Sequence, residues 1–454
     1  MTVAPELKAL SDIFQKNGFS LYLVGGAVRD YVLGKPSHDY DFTTDALPME
    51  VKSMFRRTID TGIKHGTVTV LFKGGSYEIT TFRTEGDYSD SRHPDNVCFV
   101  RSLEEDLKRR DFTINALASN VQDGEIIDMH EGLSDLKNGT IRAIGNPMER
   151  FKEDGLRMMR AARFSAKLGF SIEGNTLSAM KALKENIRNI SRERIREEFF
   201  RLVDSPFPRM GLEAMEKSGL MEILFPELWE TRRIEGHGYH KENLYEHLVL
   251  SLEAARDLGA PVTVKLAALF HDIGKTATEK RDGDKWTYYH HEKVGEEMAR
   301  AIMTRLKSSN EERDQVCLFI REHMFLYSPL WTDGSVRRLI VRVGKENLDN
   351  LFLLREADRK ATTALPEEVS DDGLKERIKA ELSSSAALTL KDLKINGKDL
   401  LGIVEKGPEM GRVLSLLLEM VIDDPEKNER EILLEKAREI EKRWVMPYRS
   451  SFRR

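Results

Sequence analysis

Residues 39 to 41 read Asp-Tyr-Asp. In an extended strand, positions i and i+2 share a face, so Asp39 and Asp41 would project together within reach of one divalent cation. Two carboxylates so placed repel each other unless positive charge sits between them. Magnesium suits the pair, because it takes one or two protein carboxylates and completes its shell with phosphate oxygens and water. A nucleotide is then the natural substrate. Read alone, the same spacing also fits a solvated acidic loop. Just upstream, "LYLVGGAVRD" sets Gly25 and Gly26 between an apolar strand-like run and a helix start that carries Arg29 and Asp30. Backbone N–H groups at such a turn can hold phosphate oxygens, and the helix N-terminus adds partial positive charge. An ordinary tight turn can have the same sequence.

The elements that must position these residues fall into two textures. Up to about residue 145, short β-branched and aromatic runs ("LYLVGG", "TVTVLF", "SYEITTF") alternate with turns and helices, which predicts an α/β domain around one mixed sheet. Beyond it nearly everything has helical period, with "VDSPFPRMG" (203–211) and "ALPEEVSDDG" (364–373) as the linker candidates. No internal repeat or low-complexity tract interrupts the pattern. The 454 residues are enough for several domains, at about 100–200 residues each. Apolar residues make up 40% and charged residues 32%, and no run approaches the roughly 18 apolar residues of a membrane span. The start "MTVAPELKAL" lacks a charged-then-apolar signal pattern. Cys98 and Cys317 lie far apart without CxxC spacing, which excludes a cysteine zinc site and fits a reducing cytoplasm, the expected location. A net charge of -5 does not announce a nucleic-acid binder, although an acidic protein can carry a basic groove.

GGxVRD followed closely by DxD resembles the polymerase-β-like nucleotidyltransferases, and this stretch is similar to the bacterial (class II) tRNA CCA-adding enzymes and their poly(A) polymerase relatives. Further motifs follow in the family's order. In "EEDLKRRDFTINALA", Arg109, Arg110 and Asp111 match its RRD motif and Asn115 its continuation. Two guanidiniums fit triphosphate oxygens bidentately, and a carboxylate accepts a ribose hydroxyl. In "MERFKEDGLRMMRAARF", Glu153, Asp154 and Arg157 match EDxxR. The i,i+3 spacing predicts that Asp154 and Arg157 leave one helical face, where an acceptor beside a donor fork can pair with a base edge. A plain surface ion pair has the same spacing. Glu78 in "SYEITTF" is a candidate third carboxylate, and Lys64 and His65 in "IKHGTVTV" read as structural. Arg157, Arg160, Arg163 and Lys167 recur as a basic stripe down one helix face, so Arg160, Arg163 and Lys167 are expected to contact RNA phosphates. "RERIREEFF" resembles the family segment that supports the base-reading helix. The long polar stretch between the sheet and RRD looks like the family's full-length loop, which favours complete CCA addition.

A second constellation lies in the helical part. His247 in "NLYEHLVLSL", His271 and Asp272 in "LAALFHDIGK" and Asp358 in "LFLLREADRKA" can gather imidazole and carboxylate ligands around one unidentified divalent ion. This resembles the HD phosphohydrolase domain. His291 and His323 fall where that superfamily often adds histidines, and a helix histidine satisfied by its neighbours is the preferred reading of His323. The resemblance implies an α+β protein: a polymerase-β-like head with a mixed sheet over 1–145, a helical neck and body with the base-reading helix over 146–232, an HD domain over 233–365 and a helical tail over 366–454. It implies Mg²⁺ in the head, CTP, ATP and tRNA as partners, and no membrane; no oligomeric state follows. The alternatives are an A-adding enzyme or poly(A) polymerase, which share the head, or mainly an HD phosphohydrolase with an RNA-binding head.

Overall fold

The computed structural model describes residues 1–454 apart from 2, 38–39, 86–96, 236–242, 284, 326, 363–370, 385–386 and 450–454. The chain divides into two compact units, Met1–Ile234 with Met298–Arg313, and Glu235–Glu297 with Asp314–Arg454. The class is α+β, as expected.

In the first unit, besides a short parallel pair Thr140–Ile141 with Ser171–Ile172, the strands are β1 (Leu21–Val24), β2 (Asp41–Thr44), β3 (Thr58–Gly62), β4 (Thr67–Phe72), β5 (Gly75–Thr81), β6 (Arg83–Glu85), β7 (Val97–Phe99), β8 (Leu117–Asn120) and β9 (Ile126–Asp128). Among the described residues, seven of them form one sheet in the order β3-β4-β5-β2-β1-β8-β9, with β6 and β7 as a separate antiparallel ribbon. The sheet is mixed because β2 and β5 run parallel while its other pairs are antiparallel. Its core face is fixed by alternation: Leu23, Phe42, Val68, Val70 and Ile79 are buried, each contributing about 1.5–3 kcal/mol if fully removed from water. The helix Pro5–Lys16 buries Leu7, Leu10 and Phe14 at spacings of three and four, the interval that keeps side chains on one helical face.

Register decides where the motifs meet. Val24, the last residue of β1, pairs with Asp41, the first of β2, and with Ala118 of β8. Asp41 in turn pairs with Glu78 of the parallel β5. The turn after β1, the carboxylate opening β2, Glu78, and the segment leading into β8 therefore converge on one end of the sheet. Helices Pro147–Glu153, Leu156–Leu168 and Arg192–Val203 complete the unit around this end. The "VDSPFPRMG" stretch is not a linker: Pro208 opens the helix Pro208–Ser218, which buries Leu212 and Met215. Proline suits a first helical position, where its missing N–H costs nothing. Residues 364–370 of the other linker candidate lie outside the described residues.

The second unit is helical with one two-stranded ribbon, Lys280–Asp282 with Lys285–Thr287. Its C-terminal part packs Leu400, Val413, Leu417, Val421, Leu433 and Ala437 into a buried cluster of its own. No helix among the described residues is long and apolar enough to cross a membrane.

Candidate active site and candidate metal centre

A cavity of about 720 Å³ opens at the convergent end of the sheet and collects Gly25, Gly26, Arg29, Asp41, Arg110, Asp111, Asn115, Asp154, Arg157 and Arg160. His65, Arg83, Arg109, Phe164 and Arg194 line it too, so seven arginines face three aspartates. The overall charge of -5 thus conceals a basic pocket suited to a polyanion. Asp39 lies outside the described residues. Glu78 is not among the lining residues, but its pairing with Asp41 on adjacent strands gives the two carboxylates one sheet face.

Gly25 has φ +67°, and a Cβ there would stand 3.3 Å from an Arg110 guanidinium nitrogen. Glycine is required for both the conformation and the approach. Behind the turn runs a chain of polar contacts. Buried Arg29 donates to Asp30 Oδ1 at 2.8 Å and to Asn115 Oδ1 at 2.7 Å. Asn115 donates to Asp111 Oδ1 at 3.2 Å, and Arg160 grips Asp111 Oδ2 at 2.6 and 2.7 Å. Burial pushes the Asp111 carboxyl up, but Arg160 and its other donors outweigh it and hold the group below its ordinary range. Asp106 does the same for the neighbouring arginines. Its carboxylate bonds Arg109 at 2.8 and 3.0 Å and Arg110 at 3.3 Å, and these charges overcome the burial that would raise its pKa.

The base-reading segment differs from expectation in two ways. Asp154 and Arg157 do not leave one continuous helix: Asp154 is extended and caps the break, accepting the Leu156 N–H at 3.0 Å. Asp and Gly at 154–155 favour a cap over a helix interior. Both side chains nevertheless reach the cavity. Asp154 is held by Arg194 at 2.7 Å. Arg157 is held by Glu153 at 2.5 Å and by the carbonyls of Arg150 and Arg109. Glu153 is therefore behind Arg157 rather than on the cavity wall.

The second difference is the basic stripe. Arg163 is 8% exposed and paired with Glu198, itself 6% exposed, and its guanidinium lies 4.0 Å over the Phe164 ring. A guanidinium so enclosed cannot serve as an outward phosphate contact, and the expectation for Arg163 is corrected. Arg160 is partly committed to Asp111, whereas Lys167 is exposed. Asp106, Arg83, Phe164 and Arg194 went unrecognised in the sequence. For Asp106 a signal existed, since spacings of three and four place a carboxylate beneath both arginines.

In the second unit, His247 (helix Leu244–Asp257), His271 and Asp272 (after Val262–Phe270) and Asp358 (helix Leu348–Ala361) come together. Asp358 Oδ1 lies 3.1 Å from His247 Nε2 and 3.5 Å from His271 Nε2. Asp272 turns Oδ2 toward the same two nitrogens at 3.8 and 3.5 Å, and Oδ1 toward His291 at 3.1 Å and His323 at 3.6 Å. The Nδ1 atoms of His271, His291 and His323 are paired with the carbonyls of Ala268, Tyr288 and Ile320, contacts that turn each Nε2 inward as metal-ligating histidines require. Nε2 of His291 and of His323 is buried and faces Asp272 Oδ1, so His323 meets the cluster as well as the carbonyl of its own helix. Gly274 permits this closeness, since a Cβ there would stand 2.2 Å from the His291 carbonyl. Burial pushes His271 down, yet Asp272 and Asp358 raise it to about 9. Buried Asp272 and partly exposed Asp358 demand positive charge between them, and the donor set fits a divalent ion.

Three family models match the chain: a poly A polymerase head domain over residues 21–142, an RNA and SrmB-binding site of polymerase A over 169–231, and a tRNA nucleotidyltransferase domain 2 over 281–437. A CCA-adding enzyme of Leuconostoc citreum is 37% identical over 425 residues, 93% of either chain. One of Leuconostoc mesenteroides is 56% identical over 207 residues, a match that spans 46% of this chain and about half, 51%, of that relative. Among solved structures, the Bacillus stearothermophilus CCA-adding enzyme in complex with CTP superposes with a TM-score of 0.71 at 30% identity, over 96% of this chain and 98% of that one.

Proposed function

We propose that this chain, which belongs to the family of CCA-adding enzymes, adds C, C and A to the 3′ end of tRNA from CTP and ATP and releases pyrophosphate. What supports the reading most is a single cavity that combines a carboxylate, a glycine turn, paired arginines and an Asp/Arg couple. In the proposed roles, the Gly25–Gly26 turn, Arg29 and Arg110 take the triphosphate, and Asp111 and Asn115 face the ribose. Asp154 and Arg157 read the base, with Glu153 holding Arg157. Cytosine and adenine both present an amino donor beside a ring-nitrogen acceptor, which suits Asp154 and Arg157; uracil and guanine turn a carbonyl toward the carboxylate instead. Asp39 and Asp41, with Glu78 beside them, would hold Mg²⁺, which when bound supplies neutralisation of the reacting phosphate oxygens. The 3′-hydroxyl oxygen of the RNA bonds to the α-phosphorus and gives up its proton to solvent, while the α–β bridging P–O bond breaks with its electron pair leaving on pyrophosphate. Arg160 and Lys167 lie on the helix from which RNA phosphates would be contacted.

The test is incubation with Mg²⁺, CTP, ATP and a tRNA transcript lacking its last three nucleotides, followed by sequencing of the 3′ ends. Ends at CCA, lost in Asp41→Ala, support the reading; an A-only addition or a growing A tail would replace it with an A-adding enzyme or a poly(A) polymerase.

A second activity is favoured by the inward Nε2 atoms around Asp272. His247, His271, Asp272 and Asp358 would hold a divalent metal that activates water for hydrolysis of phosphates at RNA ends. Release of phosphate from RNA carrying a terminal or cyclic phosphate, lost in Asp272→Ala, tests it. The division into head (1–145), neck and body (146–232), HD domain (233–365) and tRNA-docking tail (366–454), and a cytoplasmic location, complete the proposal.

A further inference from the structure

Asp106 sits in the helix Leu103–Lys108 with its side chain fully buried. Burying a carboxylate costs several kcal/mol unless it is paired and hydrogen-bonded, so its partners reveal what it is for. Oδ1 accepts Arg109 at 2.8 and 3.0 Å and the Arg83 backbone N–H at 3.3 Å. Oδ2 accepts Arg110 at 3.3 Å and the Thr43 hydroxyl at 3.3 Å. Both arginines line the cavity, while Asp106 does not. Thr43 stands two residues after Asp41 on β2 and so shares its face. Arg110 is confined from the other direction by the bare Gly25 backbone, 3.3 Å from the site of an absent Cβ.

We propose that Asp106 is a positioning residue for the nucleotide triphosphate: it holds Arg109 and Arg110 at the cavity wall and ties them to β2, the strand that carries Asp41. It makes no contact with substrate itself. The inference rests on the nucleotidyltransferase reading and adds to it a residue that sets where the phosphates lie relative to the carboxylate end of β2. Because the triphosphate is common to both substrates, Asp106 would act equally on CTP and ATP. Selection between bases would be untouched.

The test is steady-state kinetics of Asp106→Asn, which keeps shape and removes charge. KM for CTP and for ATP is expected to rise together by about 10- to 100-fold, the equivalent of weakening one charge-assisted contact to the triphosphate, with KM for tRNA unchanged. In an Arg110→Ala background the same substitution should add much less, since the two act through one contact. A merely structural role would lower the active fraction, and so kcat, with every KM unchanged; that outcome, or a KM for CTP within twofold of the wild type, overturns the proposal. If Asp106→Asn does not fold, Asp106→Glu, which keeps the charge and moves it by one methylene, should still raise both nucleotide KM values severalfold, and unchanged values count against it equally. Failure of the parent reading is separable: the wild-type protein would then leave the tRNA unextended, and calorimetric titration of CTP into wild type and variant would still compare nucleotide affinity.

Discussion

Replacing Arg163 by methionine separates two roles that the sequence alone cannot distinguish. Methionine keeps the apolar stem and removes the guanidinium, leaving Glu198 buried without its main partner. Breaking one side of a buried pair costs about 3–5 kcal/mol, because the remaining charge is uncompensated. Arg160, 3.7 Å from the other Glu198 oxygen, offsets part of this, so the lower end, about 3 kcal/mol, is the expected loss. In a unit of this size, about 2–4 °C in Tm per kcal/mol gives a drop of roughly 6–12 °C. Thermal and urea unfolding monitored by circular dichroism measure the loss, and steady-state kinetics below the transition measure KM for tRNA, expected to be unchanged. The double variant Arg163→Met, Glu198→Leu should recover most of the stability, since it removes both charges. Arg163→Met with wild-type stability and a raised tRNA KM would refute the assignment and return Arg163 to the RNA surface.

Gly25→Ala forces a side chain to φ +67° against Arg110; a cost of about 1–3 kcal/mol in stability, with a lower kcat/KM for both nucleotides, should appear in unfolding and extension assays. Asp358→Asn should weaken Mn²⁺ binding measured by calorimetry while CCA addition stays at the wild-type rate. The carboxyls of Asp106 and Asp111 are both lowered on folding. As pH falls, protons therefore bind the unfolded chain first. Their contribution is complete above the ordinary carboxylate value of about 3.9 and is lost as pH drops below it. An acid-unfolding curve that stays steep in Asp106→Asn would contradict this for Asp106.

Much of the nucleotide site was legible because its residue types are dictated by chemistry: phosphates call for arginines and bare backbone, a cation for carboxylates, a base edge for an acceptor beside a donor fork. Gly25, Arg110, Asp111, Asp154 and Arg157 are found together for that reason. The residues that hold them were not legible. Asp106 in "EEDLKRRD" has the composition of any solvated helix start; its spacings of three and four to the two arginines hint at pairing, but its complete burial is not written in the sequence. The inward turn of Arg163 was equally hidden, because the spacing of a helix gives faces but not which face meets the core. Asp154 was misplaced on a helix because a three-residue spacing is blind to the break that Gly155 allows. That His323 turns Nε2 toward Asp272 was hidden too, because the sequence does not show which groups a buried helix histidine meets.

The alignment of Val24, Asp41 and Glu78 across three neighbouring strands has a consequence for insertions and deletions. Side chains alternate faces at every residue, so sliding β2 by a single position would turn the Asp41 carboxylate toward the side where the Phe42 ring is packed and set that ring where the carboxylate now stands. Loss or gain of one residue within 41–44 would invert the facing of the remaining side chains at the site. The connecting segments on either side of β2 can absorb length changes, because they alter the path between strands and leave the pairing intact. Variation in this chain is thus free in number between strands and fixed in parity within them.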